Sequence, residues 1–439
     1  MLFSPDGSVF KGSLTTMNMM GASLPYVYTS TKDEYLAGRE TAWLGITLNV
    51  TPIYDVSGTD AGKLLNEVCV NKNFLEMKLG SSKHALICNS KGQMVADGVI
   101  MKRENDFRTY WMAPVLQYYV ETSNLDVKGE YCQDEYFYQI DGPKSLEILE
   151  KACQCDLHDI KFARNKTVKI CDTDMVVHRL GMSGALAYEV HGDAKNAEIV
   201  YTRIREVLEE FGGKPQGIGS YGIINHTTAG YPNQYQHFMY PIFSSDPALA
   251  EFMKQVGIPM HPYGSASDND ELFYATPFDV GWGYLVNFDH DFMGKDALLK
   301  IKNNPPRKVV TLEWDNEDIG EVFISQFKGQ NVEPFDPIDP VTDGDMVNMR
   351  LRGDYVLADG KKIGIAVGRT YAYYERRMIS LAYLDPMYAQ EGAEVRVLWG
   401  ENGHPQKEIR AKIAKFPYYD GEYRNETFDV EKIPHPEFL

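Results

Sequence analysis

At 439 residues the chain is too long for one compact core, so two or three domains are expected. Its formal net charge of −18 lacks the basic surface that nucleic acid or an anionic membrane recruits, so neither is expected as a partner. No apolar run reaches spanning length, and the opening MLFSPDGSVFKGS has neither the basic start nor the apolar core of a leader, so a cytoplasmic protein is expected.

Residues 15–30 carry Tyr26 and Tyr28, which point the same way on an extended backbone and either line a pocket or pack on the first domain. Residues 31–45 read as a helix, with Thr31 or Asp33 as N-cap and Trp43 on the apolar face. Residues 46–58 read as a strand and 59–68 as a capped helix. Between 86 and 99 a Ser-Lys-Gly turn joins two strands, and Asp97 comes late in the second, just before Gly98. A strand and helix follow over 107–120. Residues 136–149 then repeat the plan of 54–65, so V-S-G-T-D-A-x-x-L-L and I-D-G-P-K-S-L-E-I-L suggest an internal duplication.

The stretch VVHRLGMSGALAYEVHG, 176–192, places Glu189 inside an apolar strand. Alternation could turn that carboxylate to solvent. If it faces a pocket instead, burial demands a ligand rich in N–H donors. Residues 193–211 form an amphipathic helix with Ile199, Ile204, Val207 and Leu208 on one side. Residues 218–241 are aromatic and polar, a helix followed by a long loop of the kind that carries function. Over 276–301 a strand, an acidic turn and a helix are expected. Asp289 and Asp291 around His290 suit a capping turn better than a metal site, because no further ligands stand at a known spacing. Six scattered cysteines, with Cys153-x-Cys155 unmatched nearby, also imply no metal centre and a reducing compartment. The run NNPPR, 303–307, is the best boundary. Residues 1–305 form one region, and 306–439 hold short strands separated by turns, a small barrel or sandwich.

Several segments agree with one family. GQMVADGVI, YQIDGPKSLEIL, GMSGALAYEVHG, TAGY and VGWGYLVNFDHDFMGKDAL, followed by the strand-rich C-terminal region, resemble the glycine-cleavage T-protein (aminomethyltransferase) superfamily over nearly the whole chain. FDHDFMGKDAL and VLWGENG are most similar to its tetrahydrofolate-dependent vanillate/3-O-methylgallate O-demethylases. The resemblance implies an α+β, three-lobed folate-binding fold with a C-terminal β-barrel or sandwich. It implies an enzyme that moves a methyl group from a methoxy-aromatic to N5 of tetrahydrofolate. The expected partners are tetrahydrofolate and a small-molecule methyl donor, with the chain a monomer or weak homo-oligomer.

Carried over residue by residue, the resemblance assigns Glu189 to the pterin and Asp97 to the neighbourhood of N5. Tyr231 packs against the folate, Gln139 and Asp141 flank the family's turn, and Tyr110 borders the pterin. Tyr26 and Tyr28 match a substrate-pocket Tyr-x-Tyr. Tyr221 matches a catalytic tyrosine with a one-residue shift, so Tyr28 or Tyr221 would assist the departing phenolate oxygen. Where the demethylases offer His and Arg to a benzoate, this chain has Asn49 or Val50, and Met112, which implies a substrate without a carboxylate. His226-Thr227-Thr228-Ala229-Gly230 replaces the T-protein run R-L-E-A-G, so the Arg that often helps bind the folate tail is absent. N- or S-methyl transfer, aminomethyl transfer, and a non-catalytic folate-binding role are the alternatives.

Overall fold

The computed structural model describes residues 9, 11–19, 22–338 and 349–438. Most of the opening stretch read for a leader, residues 1–8 and 10, lies outside the described residues. An N-terminal hairpin of β1 (Thr15–Met19) and β2 (Ala22–Val27) leads into α1 (Thr31–Glu40) and β3 (Trp43–Gly45). The cap of α1 is Ser30, one residue earlier than expected, because its side chain accepts the Asp33 N–H at 3.1 Å. Trp43 falls on β3 rather than on the helix. The strand expected from residue 46 begins only after a 3₁₀ turn over Thr47–Val50.

Two copies of one plan follow. The first is β4 (Ile53–Ser57), α2 (Ala61–Val68), β5 (Ser82–Cys88), β6 (Met94–Lys102), β7 (Asp106–Tyr110), α3 (Val115–Thr122) and β8 (Lys128–Cys132). The second is β9 (Glu135–Asp141), α4 (Ser145–Cys153), β10 (Asn165–Ile170), β11 (Thr173–His178), β12 (Ala187–Asp193), α5 (Ala197–Glu210) and β13 (Lys214–Gln216). The first sheet runs β5-β6-β7-β4-β8 and the second β10-β11-β12-β9-β3-β13, the same order with β3 inserted. The duplication suggested by the two Gly turns is therefore real at the level of topology. Both glycines have positive φ, +108° at Gly58 and +134° at Gly142, and a Cβ on either would collide with a crossing carbonyl, of Asp126 or Thr41.

Each sheet buries its helix-covered face. Tyr136, Tyr138 and Ile140 of β9 pack on Leu146 and Leu149 of α4 and on Val200, Ile204, Val207 and Leu208 of α5. A buried side chain of this kind contributes about 1.5–3 kcal/mol. Ile199, expected on this face, is 50% exposed, and its neighbour Val200 takes the inward place. The opposite faces of the two sheets meet through Ile53, Val99, Met101, Tyr110 and Phe137.

The chain continues through α6 (Ile223–Ala229), a loop to α7 (Pro247–Val256), β14 (His261–Tyr263) and α8 (Lys295–Ile301). No strand forms near residue 276; Asp279 instead accepts the Thr276 N–H at 2.8 Å in a turn. Gly294 precedes α8 with no side-chain cap, and His290 Nε2 lies 3.1 Å from the Cys69 carbonyl, so the acidic stretch is a packed loop. The third lobe holds β15 (Lys308–Trp314), α9 (Asn316–Ser325), β16 (Arg350–Ala358), β17 (Lys361–Ala372), β18 (Arg377–Leu384), β19 (Glu394–Trp399) and β20 (Lys407–Ala414). Pairing of β19 with β16 closes a six-stranded barrel, with β14 added outside β16. The fold is the expected α+β arrangement of three lobes. Among the described residues no helix is long and apolar enough to cross a membrane.

Candidate active site

A cavity of about 530 Å³ opens where the two helix-free sheet faces meet the 218–236 segment and the 282–285 turn. That volume suits a small-molecule site. Asp97 and Val99 of β6 and His84 of β5 line it from the first sheet, and Phe137, Gln139 and Glu189 from the second. Strand alternation explains the selection, because Asp97/Val99 and Phe137/Gln139 are i, i+2 pairs on one face. Gly98 between them is required, since a Cβ there would strike the Tyr110 carbonyl. Trp111 and Tyr235 also line the cavity, and both hold left-handed backbone, φ 67° and 69°. Non-glycine residues in that region are strained, and such strain gathers at functional sites.

Glu189 is 8% exposed and faces its register partners Gln139 and His178 on β9 and β11. His178 Nδ1 lies 3.1 Å from Glu189 Oε2, and His191 Nε2 lies 3.7 Å from the same oxygen. Burial pushes the Glu189 carboxyl up, but the imidazoles of His178 and His191 outweigh it and hold it down at about 2. Burial pushes His191 down, and its two carboxylate partners, Glu135 and Glu189, more than reverse this. The result is a buried carboxylate that lines the cavity and is held in its charged form by two imidazoles.

Asp97 is clamped at both oxygens. Tyr240 donates its hydroxyl to Oδ1, and His84 Nε2 lies 3.1 Å from Oδ2. His84 is itself held edge-on by Trp282, ring centres 4.6 Å apart. A second chain runs along the other wall: Tyr221 donates to Gln139 Oε1 at 3.0 Å, and Gln139 Nε2 donates to Asp141 Oδ2 at 3.1 Å. Burial raises the Tyr221 hydroxyl, so it remains a proton donor. The 231–236 loop is fixed by His226, whose Nδ1 donates to the Tyr231 carbonyl at 3.0 Å and whose Nε2 accepts from Asn233 Nδ2 at 3.0 Å. Burial pushes His226 down to about 4, which keeps the ring neutral for that pattern.

The cavity thus brings together Asp97, Glu189, Gln139, Tyr110, Tyr221, Tyr231, Tyr26 and Val50. Tyr26 sits at its rim, 42% exposed. Four residues expected at the site lie elsewhere. Tyr28 follows the end of β2, so alternation from Tyr26 no longer applies; its hydroxyl donates to the Val9 carbonyl at 2.6 Å, beside Tyr201. Asn49 is buried with Oδ1 accepting the Phe137 N–H at 2.7 Å and Nδ2 donating to the Ile46 carbonyl. Met112 lies beyond Gly98, in the core under α2 and α3. Asp141 is fully buried behind Gln139, where burial pushes its carboxyl up to about 8, so it reaches the cavity only through that side chain. His84, His178, His191, Tyr240 and Trp282 were not anticipated. His191 could have been found, since it follows Glu189 by two in the same strand. Nothing local marks the contact of Tyr240 with Asp97, 143 positions away.

Comparison with known proteins places the chain in a family. Residues 14–227 match the family model for the GCVT N-terminal domain. The chain is 42% identical to a sesamin methylene transferase of a Sinomonas species over 94% of both chains. It is 28% identical to a syringate O-demethylase of a Sphingobium species, covering 90% of this chain and 91% of that one. Among solved structures, the glycine cleavage system aminomethyltransferase T of Bartonella henselae shares the fold, with a TM-score of 0.68 at 15% identity, over 94% of this chain and 96% of that one.

Proposed function

Because the chain belongs to the glycine-cleavage T-protein family of tetrahydrofolate-dependent transferases, we propose that it takes a one-carbon unit from an uncharged aromatic ether and delivers it to tetrahydrofolate in the cavity described above. The observation that carries this reading is Glu189, a buried carboxylate that lines the cavity beside Phe137 and Gln139 and is held in its charged form by two imidazoles. A pterin edge presents adjacent N–H donors, and two charge-assisted hydrogen bonds to one carboxylate are a planar match. The residues present therefore fit the group.

When bound, tetrahydrofolate supplies the nucleophilic nitrogen, N5. Asp97, locked by Tyr240 and His84, keeps its carboxylate in one orientation and can stabilise positive charge or take up a proton beside that nitrogen. Tyr221 can turn its hydroxyl from Gln139 to a departing ether oxygen, where negative charge develops. Tyr231 and Tyr110 supply aromatic walls that hold the reactants in line and exclude water.

The uncharged substrate is supported by what the wall lacks. Among the described lining residues Lys83 is the one lysine or arginine, and its ammonium is turned to the Lys72 and Asn73 carbonyls at 2.7 and 3.0 Å. A benzoate would find no free lysine or arginine among the described lining residues. Val50 keeps its part in this argument; Met112 does not. A second reading, transfer of a methylene rather than a methyl group, is favoured by the 42% identity to the sesamin methylene transferase. We further propose action in the cytoplasm as a monomer or weak homo-oligomer.

The test is anaerobic incubation with tetrahydrofolate and a panel of neutral methoxy-aromatics, neutral methylenedioxy-aromatics and syringate, read by mass spectrometry. The expected products are 5-methyl- or 5,10-methylenetetrahydrofolate from neutral donors. Product from syringate alone would overturn the uncharged substrate, and no one-carbon folate from any donor would overturn the reaction.

A further inference from the structure

The β11–β12 pair sets a histidine-rich donor group against the cavity wall. His178 and Glu189 are register partners, and His191 follows Glu189 by two, so the three side chains leave one face of the sheet. One ligand atom from each lies within 4.8 Å of the other two. Two of the separations are 3.1 Å, from His178 Nδ1 to Glu189 Oε2, and 3.7 Å, from His191 Nε2 to Glu189 Oε2. Tetrahedral ligands held about 2.1 Å from a zinc ion lie about 3.4 Å apart, midway between those values.

Two further observations point to a cation. The outer nitrogens are already oriented: His178 Nε2 lies 2.7 Å from Ser82 Oγ, and His191 Nδ1 lies 3.1 Å from Glu135 Oε1. Such hydrogen bonds fix the ring and tautomer of metal-bound imidazoles. His191 is 2% exposed, and among the described residues its Nε2 has no hydrogen-bond partner; Glu189 Oε2, at 3.7 Å, is within ion-pair reach and beyond a hydrogen bond. A buried orphan nitrogen aimed at a carboxylate is a vacant ligand position.

We propose that His178, Glu189 and His191 form a binding site for a zinc-type divalent cation, entered from the cavity, with its fourth position open to water. Two imidazoles and one carboxylate select Zn²⁺ or Co²⁺ over Mg²⁺ and Ca²⁺, which prefer all-oxygen shells. Resting on the assignment of Glu189 to the pterin, the cation and tetrahydrofolate compete for one carboxylate, so zinc inhibits competitively with tetrahydrofolate. A second group, Asp156, His158 and His435, has its ring nitrogens engaged by Glu150, the Ile433 carbonyl, Asp156 and Glu431, with none left unpartnered as His191 Nε2 is, and serves as the control.

The experiment titrates chelator-treated full-length protein with Co²⁺ and follows visible absorption, with calorimetry of Zn²⁺ in parallel and circular dichroism as the folding check. The expected result is the intense spectrum of tetrahedral Co²⁺, weakened about tenfold or more in affinity by His191→Gln and by His178→Gln, and unchanged by His435→Ala. If His191→Gln does not fold, His178→Gln decides. A spectrum that survives both substitutions, one lost with His435→Ala, or no Co²⁺ binding to the folded parent overturns the site. Added tetrahydrofolate is expected to displace the cobalt. Cobalt bound through the trio with tetrahydrofolate bound beside it leaves the metal site standing and overturns the shared use of Glu189.

Discussion

The two repeated sheets share one plan and put the same positions to opposite uses. Aligning Gly58 with Gly142 makes Asp55 the counterpart of Gln139, and their register partners Arg108 and Glu189 counterparts of each other. In the first sheet that position is structural. Arg108 pairs with Asp55 and, across to the second sheet, with Glu135, while Arg103 ties in Asp55 and Asp106. In the second sheet the position carries Glu189, open to the cavity. The reverse holds one strand away. Asp97, beside the cavity, corresponds to Asp174, which is exposed and pairs with Lys169. Duplication thus supplied two scaffolds, and each has one carboxylate on the cavity wall where the other's equivalent serves assembly or surface charge.

The largest effect is expected from the first repeat's own carboxylate. Asp97→Asn should lower turnover by about 10²–10⁴-fold, the range for a lost proton-transfer or charge-stabilising group. Tetrahydrofolate affinity should stay within a few-fold. Single-turnover formation of one-carbon folate measures it, and parent-like turnover would remove Asp97 from the reaction. Arg108→Met should destabilise the protein by about 3–5 kcal/mol, because it strands Asp55 and Glu135 partly buried without their cation. Urea unfolding reads this directly, and an unchanged midpoint would mean the inter-sheet pair does not hold the repeats together.

Glu189→Gln keeps the shape but removes the charge. It should weaken tetrahydrofolate binding by about 10–100-fold, the value of one or two charge-assisted hydrogen bonds. Anaerobic calorimetry measures the change, and equal affinity would disprove the pterin assignment. The smallest effect concerns Asp141, whose counterpart in the first repeat is the uncharged Ser57. Burial holds the Asp141 carboxyl near 8 in the folded chain, against about 4 in the unfolded chain. The folded state therefore keeps a proton that the unfolded state releases, so the stability this group allows is complete below about pH 4 and falls as pH rises toward 8. Asp141→Asn should flatten that slope, giving a melting-temperature advantage that grows between pH 5 and 8. A difference constant with pH would show that Asp141 does not titrate there.

Much of this was legible beforehand. The strand–Gly–helix repeat, the short strands after NNPPR, and the carboxylates Asp97 and Glu189 could be read because period-two alternation and turn glycines are local signals. The misplacements have local causes too. Tyr28 stands past the last residue of β2, where alternation ends, and Met112 lies after the left-handed Trp111, where the chain turns behind the sheet. A two-residue spacing predicts a shared face only while the backbone stays extended.

The sequence by itself determined many of the strands, the strand–Gly–helix repeat, and which acidic side chains interrupt apolar strands. Only the tertiary structure decided which face of each sheet became the cavity wall, because that depends on where the helices pack. It also decided that Tyr240 and His84 would clamp Asp97, and that His178 would meet Glu189. Those groupings draw on strand register and on contacts across more than a hundred residues, where the energy of burying a charge is settled by neighbours that no local pattern names.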